Sequence, residues 1–230
     1  AGRRPARGVA RAGADMPEGR PLLLQGGWRG CCAGARREGR DAGRLGAPPD
    51  PCHSLSTLYH PLVQRLRSLA KPVVCAVNGV AAGAGANIVF GCDIVLAATT
   101  AKFVQSFAKV GLIPDAGGTY HLAQILGPLR AKAWAMTATP ITAQTAQDWG
   151  LVWQCFEPGA LLEAAQQMTA DLANGATLGL AQTKHAIHKA GQMDLEAHMA
   201  LEAEIQRACG QSADYLEGVT AFLDKRPAQY

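Results

Sequence analysis

KPVVCAVNGVAAGAGANIVFGCDIVLAATTAKFVQSFAKVGLIPDAGGT, residues 71–119, decides the fold. It opens on KPVVCAV (71–77), a short β-branched run suited to a buried strand. Residues 78–91 read as a glycine- and alanine-rich turn running into a helix, and residues 92–99 and 101–104 as further strands. Upstream, Leu58, Leu62, Leu66 and Leu69 recur at helical spacing within residues 54–70. Downstream the text predicts helices over 119–126, 128–137, 142–149, 159–174, 177–191, 194–209 and 212–224, with one more strand in LVWQCF (151–156). Thr142 and Ser212 are suited to helix N-caps, and Gly127, Gly150, Gly175 and Gly210 to helix ends. No internal repeat is visible. The order predicts a layered α/β core followed by a helix-rich C-terminal third.

The chain has 230 residues and is 48% hydrophobic, enough for a sizeable core. No apolar run approaches the roughly 20 residues of a membrane span. PLLLQ (21–25) is too short for the core of a signal peptide, so no targeting segment is expected. Seven cysteines are scattered at positions 31, 32, 52, 75, 92, 155 and 209 with no C-x-x-C pair. That pattern reads as reduced thiols in a cytoplasmic protein.

The net charge of +4 is unevenly placed. Residues 1–50 carry ten arginines against five acidic residues, an excess of five positive charges. The remaining twelve basic and thirteen acidic residues leave one net negative charge. A near-neutral body does not indicate a nucleic-acid face. Residues 1–52 are mostly Arg, Gly, Ala and Pro and form an atypical segment with two readings. One is a disordered basic arm. The other concerns the gene: a GC-rich frame read out of register yields this mixture, and resequencing the DNA separates the two. Residues 53–160 form the expected core, and 161–230 the helical region.

The glycine-rich turn is a poor dinucleotide fingerprint. Gly83-Ala84-Gly85 supplies G-x-G, but position 88 is Ile, and Asp93 and Asp115 lie at the wrong distances for a ribose partner. The turn does offer backbone: small residues at a helix start permit close approach to its N–H groups. Tight helix–strand packing would select the same residues. There is neither a G-x-S-x-G elbow nor an H-E-x-x-H pair. His185 and His188 lack a third ligand nearby in sequence, so no metal site is expected. Cys75 and Cys92 read as inert core thiols, and Trp134, Trp149 and Trp153 as packing residues. Asp115 stands out as a lone carboxylate among apolar and small neighbours, either a turn residue facing water or a working acid–base.

The order K-P-V, N-G-x-A-x-G-x-G, C-D-I-V-x-A, F, G-L-x-P-x-x-G-G-T resembles the enoyl-CoA hydratase/isomerase (crotonase) superfamily, and the likeness continues to SADYLEGVTAFLDKR (212–226). It covers about residues 53–230. Within the superfamily the text is most similar to the isomerases of phenylacetate degradation. The resemblance implies an α/β fold with a crotonase-like ββα spiral core and a C-terminal helical trimerisation region. It implies acyl-CoA as substrate, a homotrimer or dimer of trimers, a partner hydratase of the same pathway, and no metal or redox cofactor. Coenzyme A enters only as part of the substrate.

By position, the resemblance makes Ala84 one backbone donor to the thioester oxygen and Ala35, after the trace of C-A-G in GCCAGA (30–35), the other. The D-L that normally follows is replaced by Arg36-Arg37. Ala33, Gly83, Phe107 and Gly111 would line the substrate site, and Lys184, Phe222 and Lys225 would contact CoA. The two glutamates that family hydratases use on water are replaced by Asn87 and Phe107. Isomerases can instead place one carboxylate where Asp115 stands. Three readings follow: an isomerase with Asp115 as proton shuttle, which is preferred; a hydratase-like enzyme of another acyl specificity; and a non-catalytic acyl-CoA-binding subunit.

Overall fold

A computed structural model describes residues 22–26 and 52–230. The chain first contributes strand β1 (Leu22–Gly26). Helix α1 then runs through Cys52–Ser54, a π-helical turn at Leu55–Tyr59, and His60–Ser68. Next come β2 (Val73–Val77), β3 (Val80–Ala82), α2 (Ala84–Phe90), β4 (Ile94–Ala98), β5 (Lys102–Val104) and a 3₁₀ turn, Ser106–Val110. Helix α3 (Gly118–Thr137), β6 (Ile141–Thr142), α4 (Ala143–Asp148) and β7 (Gln154–Phe156) complete the core. Four helices follow: α5 (Leu161–Ala173), α6 (Thr177–Ala190), α7 (Leu195–Gly210) and α8 (Ala213–Leu223).

Two sheets share this core. One is parallel throughout, in the order β1-β2-β4-β7; the other has the order β3-β5-β6, with only the β5–β6 pair antiparallel. Strands β2 and β4 each feed a strand of the second sheet and then a helix, α2 and α3 respectively. The unit strand–strand–helix is thus used twice, a repeat of topology that leaves no trace in the sequence. Every residue of β2 is fully buried, as expected of a parallel strand covered on both faces.

β1 pairs with β2 along its whole length and buries Leu24. The folded sheet therefore takes a strand from the segment that composition sets apart. Strands β3 and β6, three and two residues long, are likewise absent from the sequence prediction, since neither is long enough to show a period of two. Other local expectations hold. Gly127 interrupts α3 at φ 70°, just before Pro128, giving the two predicted helical pieces. Thr142 and Ser212 accept the N–H groups of Thr145 and Tyr215. Trp134 packs between Phe90 and Trp149, whereas Trp153 is 71% exposed.

Helix α5 lies across the parallel sheet, so the helices set apart from the core begin at α6. Neither α6 nor α7 contains a buried residue, and α8 contains only Ala221. No helix among the described residues is long and apolar enough to cross a membrane.

Candidate active site

Asp115 sits in the turn before α3. Ala116 and Gly117 follow it in left-handed conformation, at φ 49° and 78°. An alanine held there pays a steric cost of roughly 1–2 kcal/mol, which packing must offset. Gly117 has a second reason to be glycine, because a Cβ would approach the ring of His121 to 3.0 Å. His121 is buried, and burial together with Arg67 and His188 lowers its pKa to about 4.

The Asp115 carboxyl group is half-buried, and its Oδ1 is buried with no hydrogen-bond partner among the described residues. Desolvation pushes its pKa up to about 6; a hydrogen bond from its own backbone N–H and the field of His60 act in the opposite direction. A carboxyl group poised near neutrality can both take and return a proton.

Ala84 is the first residue of α2, a position whose N–H has no carbonyl one turn back. Gly83 before it adopts φ 57°, ψ −133°, accessible in practice only to glycine, and its N–H donates to the carbonyl of Val104 at 3.0 Å. The turn is thereby fastened to β5. Asn87 lies one helical turn further on and is fully buried. Its Nδ2–H donates to the Asp115 carbonyl at 2.9 Å, and its Oδ1 accepts from Gln105 Nε2–H at 2.8 Å. Phe107 is buried in the 3₁₀ turn, which Gly111 ends at φ 73°. Neither position expected to activate water in a hydratase can do so: one holds an amide engaged in structure, the other a hydrocarbon ring.

Ala33 and Ala35 lie outside the described residues. Phe222 is 82% exposed at the end of α8, and Lys225 is exposed just beyond it. Lys184 requires a correction. Its side chain is only 7% exposed; its ammonium pairs with Asp93 at 2.8 Å and donates to the carbonyls of Leu66 at 2.8 Å and Lys71 at 3.2 Å. All three of its donors are satisfied within the chain, leaving none for a CoA phosphate. It is a tether between α6 and the core. A cavity of about 840 Å3 lies over this tether, between α3, α6 and β4, and Asp115 is not in its wall. Gln105 is not among the sequence-predicted site residues; its one signal is a lone amide inside AKFVQSF (101–107).

The family model described as enoyl-CoA hydratase/isomerase matches residues 17–230. The chain belongs to this family. It is 47% identical to the 1,2-epoxyphenylacetyl-CoA isomerase of Escherichia coli (strain K12), over 92% of this chain and 80% of that one. It is 40% identical to a probable enoyl-CoA hydratase of Rhodobacter capsulatus, over 93% and 81% of the two chains. The crystal structure of an enoyl-CoA hydratase from Polaromonas sp. JS666 superposes with a TM-score of 0.82 at 33% identity, over 92% and 82%. The spiral ββα fold expected of an enoyl-CoA hydratase/isomerase is therefore the fold of this chain, and its C-terminal helices are present.

Proposed function

We propose that this enoyl-CoA hydratase/isomerase is an isomerase in which Asp115 is the only proton shuttle. The observation that carries the reading is the contrast among three positions. Asp115 presents a partly desolvated carboxyl oxygen with no partner among the described residues, while Asn87 and Phe107 supply no acid or base at their two positions.

In this reading the thioester oxygen of a 3-enoyl-CoA accepts hydrogen bonds from the N–H of Ala84 and from that of Ala35. Asp115 removes a proton from the α-carbon. The released electron pair spreads onto the thioester oxygen, where the N–H donors stabilise it. The carboxylic acid then returns the proton to the γ-carbon, and the double bond moves into conjugation. The identity to an epoxyphenylacetyl-CoA isomerase supports ring-1,2-epoxyphenylacetyl-CoA as the substrate in phenylacetate catabolism. The product would be the isomeric seven-membered ring ether, oxepin-CoA. The same carboxyl group would move the proton, and no atom would enter or leave. No metal or redox cofactor is called for.

The exposed apolar residues of the last helices, among them Ile187, Leu195, Leu216 and Leu223, support assembly through this region, as a trimer or a dimer of trimers. Phe222 and Lys225 would meet the CoA portion of the substrate, and Gly83, Phe107, Gly111 and Ala33 its acyl portion. The engaged Asn87 amide disfavours hydration, and the raised Asp115 carboxyl group disfavours a non-catalytic subunit.

The test is the pH dependence of isomerisation beside acyl-CoA binding. kcat/KM should rise as pH passes about 6, where Asp115 of the free enzyme loses its proton. Asp115→Asn should abolish that limb while Kd for the CoA ester stays within a few-fold. A flat profile, or equal rates in both proteins, would remove Asp115 from the mechanism.

A further inference from the structure

We infer that the buried amides of Gln105 and Asn87 are positioning residues for Asp115, forming a relay that locks the turn bearing the carboxyl group onto the helix bearing the Ala84 N–H. The inference rests on the proposed role of Asp115.

The relay has only one workable polarity. The Asp115 carbonyl can only accept, so the Asn87 side chain must turn its Nδ2–H toward it. That leaves Asn87 Oδ1 facing away, where it requires a donor, and Gln105 Nε2–H supplies it. Both side chains are fully buried, so no water competes for either bond. The Asp115 carbonyl also accepts the N–H of Gly118 at 2.7 Å, which fills both of its lone pairs. Its peptide plane is therefore fixed on two sides, immediately before the strained Ala116.

The connectivity is what makes this a positioning device. Asn87 stands one turn along α2 from Ala84, and Gln105 immediately precedes the 3₁₀ turn that contains Phe107. One chain of two hydrogen bonds thus joins the proposed oxyanion donor, the apolar wall and the proposed base. Gly118 leaves room for it, since a Cβ at that position would collide with the Asn87 amide. Gln105 Oε1 has no partner among the described residues. A buried acceptor left unsatisfied is costly, and it is tolerated here while the donor end of the same amide holds Asn87.

Two variants test the relay from opposite directions. Gln105→Met keeps the side-chain length and loses the donor. Gly118→Ala keeps every polar group and pushes the Asn87 amide off the carbonyl. For each, kcat and KM for isomerisation of a 3-enoyl-CoA are measured with the melting temperature and the 13C carboxyl titration of Asp115. Both variants should fold, with kcat down about 10- to 100-fold and KM little changed, as expected when a catalytic group is misplaced by about an ångström. The Asp115 midpoint should fall from about 6 as water reaches the loosened turn. A lower melting temperature with kcat per folded molecule and the midpoint both unchanged would overturn the inference, making the amides core bonds only. Should Gln105→Met fail to fold, Gly118→Ala carries the same test. Full activity in Asp115→Asn would refute the proposed base, and the titration in the two variants would still decide whether the relay places the carboxyl group.

Discussion

Asp93 and Asp115 are two partly buried aspartates in one core, and their surroundings are opposite. Asp93 Oδ2 accepts the N–H of Val73 at 2.7 Å and the ammonium of Lys184 at 2.8 Å. Asp115 has a buried oxygen to which no group among the described residues donates. The first carboxylate is engaged by an N–H and an ammonium and fastens α6 to the sheet. The second is disfavoured as an anion and so remains available for a proton. The comparison teaches that the filling of the lone pairs, more than the depth of burial, separates a structural carboxylate from a working one.

The largest expected effect is on chemistry. Asp115→Asn should lower kcat by about 10²- to 10⁴-fold, the usual contribution of a positioned acid–base. Steady-state rates on purified, folded protein check this, and a loss of less than about five-fold would break the contrast between the two aspartates.

The mirror experiment is Lys184→Met, which removes the cation from Asp93 and two donors from the Leu66 and Lys71 carbonyls. Unfolding free energy should fall by about 1–2 kcal/mol, less than for a fully buried pair because the Asp93 side chain keeps 17% exposure. KM for acyl-CoA should not change, since the ammonium is engaged within the chain. Urea titration and substrate kinetics read the two halves separately.

A smaller effect sharpens the comparison through pH. The folded protein holds the Asp115 proton up to about 6, whereas an unfolded chain releases it near 3.8. Across that window the folded state binds more protons, so this group's contribution to stability falls as pH rises. Asp115→Asn should accordingly melt higher than the unmodified protein at pH 8, with the advantage shrinking below pH 6 and lost only below 3.8. His121 acts in the opposite sense. Its folded pKa of about 4 lies below the ordinary 6.5, so its contribution is complete above 6.5 and is lost as pH falls toward 4. Measuring the variant against the unmodified protein at each pH cancels the His121 term.

The smallest effect belongs to the backbone beside the base. Ala116→Gly should relieve the left-handed strain at φ 49° and raise stability by under about 1 kcal/mol, offset in part by glycine's greater freedom when unfolded.

Much of the fold was legible because its signals are local. Five consecutive apolar residues announce β2, and Gly127-Pro128 breaks α3 where the text predicts. What was illegible depends on distant partners. Nothing in LLLQG reveals that β1 pairs with β2 some fifty residues on. The family pattern puts Lys184 against CoA, and only the approach of Asp93, Leu66 and Lys71 shows why it is withdrawn. At the candidate site, Asp115 could be singled out from its apolar neighbours and its place in the family pattern. The use of Asn87 could not, because an absent glutamate does not say what its replacement holds.

The most direct measurement is NMR of a 3-enoyl-CoA in D2O with the unmodified protein beside Asp115→Asn. A single-carboxylate isomerase predicts migration of the double bond, with deuterium entering the α- and γ-carbons, in the unmodified protein alone, and CoA-ester binding kept in both. Equal migration and equal exchange in the two proteins would contradict the account.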